Sequence, residues 1–364
     1  MKDIKLIVAG GGTAGHINAG LSIMEEFEKK HSATCLFVGT KRGMESKLLP
    51  RSNRKIAYIS SRGLSRQSLP IFIYSLLLLP VSLIQSLIIV SRFKPDAVIG
   101  VGGYSSGPVI LASWLFRVPI FLLEQNAILG LSNRLLIGFA KKLFSAFPIK
   151  NKKYETKIVK LGNPIRSDIK KSKGSLKPFT IFIFGGSQGA RAINQAVAAC
   201  IPMLNKLKDI KIIHQAGRLD VASVKKAYKD ADFEYEVHEY IYDIASVYQQ
   251  TDLVISRAGA STIFELLSAR LPSILIPLPT AADDHQRHNA MFLSDNDCCE
   301  LLEQKKLSPE KLYERISYYT SDTSRLSSMK KALEKLARTN KNQAQKLIVE
   351  QIIPFIDEKK SGNV

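Results

Sequence analysis

The residues best suited to chemistry cluster between Leu253 and Asn289, in LVISRAGASTIFELLSARLPSILIPLPTAADDHQRHN. The stretch reads as a short apolar strand (Leu253 to Ser256), a glycine turn (Arg257 to Ala260) and a helix. A second strand (Ser273 to Ile276) and a polar loop (Ala281 to Gln286) follow. Two strands joined by about ten helical residues make a βαβ unit, whose ligand site lies at the carboxyl ends of the strands. The turn and helix start offer N–H groups and a positive dipole end, which suit a phosphate. Glu265, expected in the first helical turn, could accept two hydrogen bonds from a ribose diol. A plainer assignment competes on spacing alone. Thr262-x-x-Glu265 has the form of a capping box, and Asp283, Asp284, His285 and Gln286 have the composition of a solvated loop.

Such side chains need a scaffold, and the chain spells the same one twice. Ile4 to Ala9 is an apolar strand, Gly10 to His16 a glycine-rich turn, and Ala19 to Lys30 a helix. Phe179 to Phe184, then Gly185 to Arg191, then a helix from Ala192 repeat that order. Further strands are expected at Thr34 to Val38, Ala97 to Val101, Pro119 to Leu123, Lys211 to His214 and Tyr235 to Val237. Ala97 to Val101 ends at the glycine turn 102–108, and Pro119 to Leu123 ends at Glu124-Gln125-Asn126. Lys141 to Lys160 reads as solvated surface leading to a hinge at Gly162 to Arg166. The expected fold is α/β: two Rossmann-like domains with parallel sheets around a cleft, residues 1–163 and 164–342. Gln343 to Ile353 reads as a final amphipathic helix with Leu347, Ile348 and Ile352 on its apolar side, kinked or ended by Pro354.

Composition narrows the partners. A chain of 364 residues with 45% hydrophobic content can bury two cores. Cys35, Cys200, Cys298 and Cys299 show neither metal-ligand spacing nor a disulfide framework, which fits a reduced, cytosolic setting. The first residues read as a buried strand rather than a signal peptide. A net charge of +20 favours an anionic partner, whether nucleic acid, an acidic membrane or phosphorylated ligands. The chain shows no basic stripe interleaved with aromatics, which counts against nucleic acid. Gly10, Gly12 and Gly15 match G-x-G-x-x-G, a weak dinucleotide signal. No acidic residue directly follows the second strand to hold an NAD ribose, while Lys41 and Arg42 keep an NADP-dependent oxidoreductase open.

Ile71 to Val90 is uncharged and long enough to cross a bilayer. Pro80 and a stripe of Ser75, Ser82 and Ser86 count against spanning. One or two amphipathic helices are expected, flanked by Arg62, Arg66 and Arg92. A core helix and a face docking on anionic lipid are equally good readings.

Six blocks in order carry a family resemblance: GGGTAGH, GVGGYSSGP, LLEQNAILGLSN, GNPIR, FGGSQGAR and the Arg257–Asn289 region. Over nearly its full length the chain resembles the MurG family of peptidoglycan glycosyltransferases, glycosyltransferase family 28. The resemblance implies a GT-B fold whose last helix returns to the first domain, and no cofactor. It implies inverting transfer of N-acetylglucosamine (GlcNAc) from UDP-GlcNAc to the C4 hydroxyl of lipid I, at the cytoplasmic face of the membrane. A UDP-sugar transferase acting on diacylglycerol is the near alternative. Carried over by motif, Ser187 and Arg166 would meet the donor, and Ile241 would hold uracil through its backbone. Glu265 would hold the ribose, Gln286 and Asn126 the sugar. Thr13, Ala14 and Gly15 would line the cleft opposite. Gly259, Ala260, Ser261 and Thr262 would face the diphosphate. His16, beside a helix start that favours a neutral imidazole, is the expected general base. The apolar segment with Trp114, Lys141 and Lys142 resembles the family's membrane patch. Ala14, Ala19, Leu123 and Thr280 depart from the family pattern.

Overall fold

The computed structural model describes residues 3–41, 45–48, 54–63, 69–174, 177–186, 188–340 and 343–360. Arg42, Arg66 and Ser187, each named above, lie outside them. The chain forms two compact units, Met1–Arg166 with Asn342–Val364, and Ser167–Lys341.

In the first unit the strands are β1 (Ile4–Gly10), β2 (Ala33–Gly39), β3 (Lys55–Tyr58), β4 (Ala97–Gly102), β5 (Ile120–Glu124), β6 (Lys142–Ser145) and β7 (Ile158–Lys160). The helices between them are α1 (Ala14–Lys30), α2 (Glu45–Leu48), α3 (Leu69–Phe93), α4 (Ser106–Leu115) and α5 (Leu131–Leu136). The sheet runs β3-β2-β1-β4-β5-β6-β7, parallel throughout. Both faces are covered, so β1 is apolar at every pleat but Lys5. Leu6 and Val8 join the core under α1, while Ile7 and Ala9 join the core under α4.

The second unit carries β8 (Phe179–Phe184), β9 (Ile210–Gln215), β10 (Glu234–His238), β11 (Leu253–Ser256), β12 (Ser273–Leu275) and β13 (Glu300–Leu301). Its helices are α6 (Arg191–Leu204), α7 (Val221–Ala227), α8 (Ile244–Gln250), α9 (Ala260–Ala269), α10 (His285–Ser294), α11 (Pro309–Ser321) and α12 (Thr323–Thr339). The order is β10-β9-β8-β11-β12-β13, again parallel. Each sheet therefore reverses its winding beside its first strand, between β1 and β4 and between β8 and β11. Ligand crevices open at the carboxyl ends of strands at such switch points. Glycine turns leave all four of these strands.

Three expectations need correction, and the apolar segment takes one of the forms left open for it. Lys141 to Lys160 contains β6 and β7, whose Leu143 and Phe144 are fully buried; the lysines hide two short strands near the sheet edge. Helix α1 starts at Ala14, five residues early, because Thr13 caps it. A single helix, α3, runs through Pro80, and its serine stripe faces inward: Ser75, Ser82 and Ser86 are buried. Their hydroxyls satisfy themselves on carbonyls four residues back, Ile71, Leu78 and Ser82, at 2.7–2.8 Å. The outward face is apolar, with Ile73, Leu76, Leu77, Val81, Ile84 and Ile88 each 43–69% exposed. Residues Ile73–Phe93 have a mean hydropathy of 2.2, long and apolar enough to cross a membrane.

The last correction concerns α13 (Ala344–Lys360), which continues through Pro354. The ring forfeits one exposed hydrogen bond. Buried residues on both sides of it, Ile348, Val349 and Ile352 before and Ile356 after, hold the helix to the first unit's core. Phe355 adds an edge-on contact with Phe121 at 5.4 Å.

Candidate functional site

In the first unit the turn after β1 is built by residues far apart in sequence. Glu45, fully buried, accepts hydrogen bonds from Gly12 N at 3.1 Å, Thr40 N at 2.8 Å and Thr40 Oγ1 at 2.9 Å. Its carboxylate is thus spent on the loop rather than presented to a ribose. Sequence reading missed Glu45, because nothing local marks a residue whose partner lies thirty-three positions away. Gly103, at φ +82°, lies so close that a Cβ there would stand 2.4 Å from the Gly11 carbonyl oxygen. Ser106 Oγ ties the two turns together, donating to Gly102 O at 2.8 Å and Ala9 O at 3.2 Å.

His16 sits in the first turn of α1. Its backbone N–H is capped by Thr13 Oγ1 at 3.5 Å, and its Nδ1 lies 3.2 Å from the Gly11 carbonyl oxygen. The Gly11 carbonyl can only accept from Nδ1, whereas the Thr13 hydroxyl, also 3.2 Å from Nδ1, can accept from it or donate to it; with Nδ1 protonated the basic lone pair resides on Nε2. The ring rests on the Gly102 backbone, where φ is +101° and a Cβ would come within 2.9 Å of Nε2. Gln125 Nε2 donates to Gly15 O at 3.2 Å, bringing the loop after β5 against the start of α1. Glu124 organises that loop: Oε1 accepts from Asn126 N at 2.9 Å, and Oε2 from Gly130 N at 2.8 Å and Asn133 Nδ2 at 2.9 Å. Thr13, Ala14, Gly15, His16 and Asn126 therefore gather at one end of one sheet. Of the departures from the family pattern, Ala19 and Leu123 are buried core residues. Leu123 thus points below the site rather than into it. Thr280 is exposed on the turn after β12.

In the second unit, Gly189 at φ +81° packs on the Ala216 carbonyl, where a Cβ would stand 2.1 Å away. Gln215, at the end of β9, donates from Nε2 to Gly186 O at 2.9 Å and accepts from Ile241 N at 2.8 Å. One side chain thus fixes both the turn after β8 and the segment leading into α8. With its N–H engaged, Ile241 has its carbonyl to offer a ligand.

Glu265 is in the second turn of α9, since Gly259 is the N-cap and Ala260 the first helical residue. The Thr262-x-x-Glu265 capping box does not form. Glu265 is instead a buried carboxylate accepting from the Tyr248 phenol at 3.0 Å, and Tyr248 is itself fully buried against Phe182 and Phe184. Nothing in the local pattern singled out Tyr248. The α9 start, Gly259 to Thr262, has no side-chain cap, so its first N–H groups and dipole end suit an anion. Arg257 is aimed elsewhere. Its guanidinium bonds the carbonyls of Ile276 and Pro277 at 3.1 Å and Gln304 Oε1 at 2.6 Å, and burial lowers its pKa. Gln286 belongs to the first turn of α10 rather than to a loop. Its Oε1 accepts from Leu278 N at 3.0 Å, which turns its amide nitrogen outward as a donor. Arg166 ends the first unit, half-buried.

Residues 6–145 match the glycosyltransferase family 28 N-terminal domain, and residues 180–351 its C-terminal domain. A UDP-N-acetylglucosamine--N-acetylmuramyl-(pentapeptide) pyrophosphoryl-undecaprenol N-acetylglucosamine transferase of Myxococcus xanthus is 39% identical over 342 residues, covering 92% of this chain and 89% of that one. The same-named protein of Anaeromyxobacter sp. strain K is 41% identical over 322 residues, 86% and 84% of the two chains. The crystal structure of Acinetobacter baumannii MurG superposes with a TM-score of 0.75 at 29% identity, covering 96% of this chain and 99% of that one. A Neisseria meningitidis UDP-GlcNAc 2-epimerase bound to UDP-GlcNAc shares the fold, with a TM-score of 0.64 at 13% identity and coverage of 97% and 100%.

Proposed function

We propose, from the premise that this chain belongs to glycosyltransferase family 28, that it moves GlcNAc from UDP-GlcNAc to the C4 hydroxyl of MurNAc in lipid I, giving lipid II. The observation that carries this is the near-full-length identity to transferases of that name.

The geometry supports a division of labour. In the second unit, the Ile241 carbonyl faces uracil N3–H, and Glu265 takes the ribose diol. The uncapped start of α9 takes the diphosphate, and Gln286 donates to the sugar. As C1–O breaks, the departing UDP carries away the electron pair. A helix N-terminus stabilises that charge with dipoles already oriented. In the first unit, the acceptor hydroxyl attacks C1 while its proton passes to His16 Nε2, the ring nitrogen left basic by the Gly11 bond. Asn126, Arg166 and Ser187 complete the donor contacts on the residue pattern alone. The apolar face of α3 rests on an anionic membrane surface at its cytoplasmic side without crossing it. On its inward side Ser75 and Ser82 also reach the Gly63 and Ser60 carbonyls, which pins the back of that face to the fold. Nucleic acid has no part in this reading.

The test is transfer of labelled GlcNAc from UDP-GlcNAc to a lipid I analogue, with diacylglycerol in parallel. Product on the lipid I analogue alone is expected. Product on diacylglycerol alone would overturn the acceptor assignment.

A further inference from the structure

The peptide group joining Gly11 to Gly12 has a partner at each end. Its N–H, on Gly12, donates to Glu45 Oε2 at 3.1 Å, and its carbonyl oxygen, on Gly11, lies 3.2 Å from His16 Nδ1. In a planar trans peptide these two bonds point in opposite directions, so Glu45 and His16 face opposite ends of one dipole. The peptide is held in place, since Gly11 N donates to Gly102 O at 3.4 Å and Gly102 backs the imidazole. The carboxylate is held as firmly, its Oε1 accepting from Thr40 N at 2.8 Å and Thr40 Oγ1 at 2.9 Å. Two glycines leave room for it. A Cβ on Gly11 would stand 2.4 Å from Glu45 Oε1, and one on Gly39 would stand 2.7 Å from Glu45 Cγ. A fully buried charge is thus bonded to the one peptide whose carbonyl meets the imidazole.

We infer that Glu45 is a positioning residue for the base, acting on His16 through the Gly11–Gly12 peptide. The carboxylate polarises the peptide, and the more negative carbonyl oxygen holds the Nδ1 proton and favours the imidazolium that forms when Nε2 takes a second one. No proton moves to Glu45. The acceptor's proton ends on Nε2, and the one on Nδ1 stays where it is, with Thr13 Oγ1 as a further acceptor at 3.2 Å. The positive end of α1 by itself would make the imidazole a weaker base, and the buried charge offsets this. The inference rests on the reading of His16 as base and deepens it. Other titratable groups around the described turns are placed differently. Lys41 and Arg62 lie past the ends of β2 and β3, and Tyr104 lies beside Gly12. Glu124 is engaged by Asn126, Gly130 and Asn133. The charges of α1 begin only at Glu25, about 14 Å further along the helix.

The chain has six histidines, so the His16 signals of full-length protein carrying nitrogen-15 histidine are assigned by their loss in His16→Ala. In the wild type, neutral His16 should carry its proton on Nδ1. A proton on Nε2 overturns the inference whatever the variants do. Glu45→Gln removes a charge that stands roughly 8 Å from the ring, across two hydrogen bonds and a peptide. His16 should then titrate about one pH unit lower. The acid limb of kcat/KM against pH, measured on the lipid I analogue, should move down with it. Turnover should fall about tenfold while KM for UDP-GlcNAc is unchanged. Thr40→Val takes one hydrogen bond from the carboxylate and leaves its charge, so His16 should titrate as in the wild type. A purely structural clamp predicts that the two variants behave alike in the titration. Equal shifts, or no shift in Glu45→Gln, overturn the inference. Failure of the base reading would show separately, as wild-type turnover in His16→Ala with the His16 titration still moved by Glu45→Gln.

Discussion

Glu265→Gln isolates the role given to the buried carboxylate of the second unit. The amide keeps the shape of the side chain and an oxygen for the Tyr248 phenol, now 3.0 Å away, and removes only the charge. Two ribose hydroxyls bonded to a carboxylate contribute about 1.5–3 kcal/mol each. Charge-assisted bonds are roughly twice as strong as neutral ones, so the substitution should cost about 1.5–3 kcal/mol in all, or about 10- to 100-fold in Kd for UDP. Tyr248→Phe, which removes one donor that fixes the carboxylate, should cost about 1 kcal/mol, near fivefold. Isothermal titration calorimetry with UDP and with 2′,3′-dideoxy-UDP separates the ribose role from a structural one. Against the dideoxy ligand, Glu265→Gln should bind as wild type does. A loss of equal size on both ligands would mean that Glu265 only braces Tyr248, and the ribose assignment would be wrong.

Three further outcomes follow from the geometry. His16→Ala should lower turnover by about 10²–10⁴-fold while UDP affinity by calorimetry is retained; unchanged turnover removes His16 as the base. Glu45→Ala strips three donors, Gly12 N, Thr40 N and Thr40 Oγ1, of a buried acceptor. It should destabilise the protein by about 2–4 kcal/mol in urea unfolding, and a loss under 0.5 kcal/mol, within the usual range of surface substitutions, would reject the clamp. His214 is buried between the Tyr228 phenol at 3.2 Å and Asn194 Oδ1 at 3.0 Å, and desolvation pushes its imidazole from 6.5 down to about 4. Between those values the unfolded chain binds more protons than the folded one. Stability should therefore be full above pH 6.5 and fall by about 3 kcal/mol as pH drops through 4. Urea midpoints at pH 7.5 and 4.5 check this, and a His214→Gln variant with an undiminished slope would locate the effect elsewhere.

The two-fold recurrence of apolar strand, glycine turn and helix was legible in the residues, because period and punctuation are local. β1 and β8 fall where their runs of Ile, Leu, Val and Phe lie, and a parallel sheet covered on both faces needs such unbroken runs. Arg166 and Ser187 entered only through a resemblance, since no physical pattern around them points to a sugar, whereas Asn126 also follows an apolar strand, where α/β proteins place ligands. What the chain could not announce was which way an element faces. Ser75, Ser82 and Ser86 make a polar stripe in sequence, yet they are the buried side of α3, since hydroxyls bonded within their own helix no longer need water. Glu265 matched a capping box until Gly259 set the helix start three residues before Thr262. Glu45 found Gly12, and Tyr248 found Glu265, across separations that no local pattern encodes. Periodicity along the chain determines which segments become strand or helix. The orientation of each face, and the partner of each buried charge, is decided when distant segments compete for the same interior.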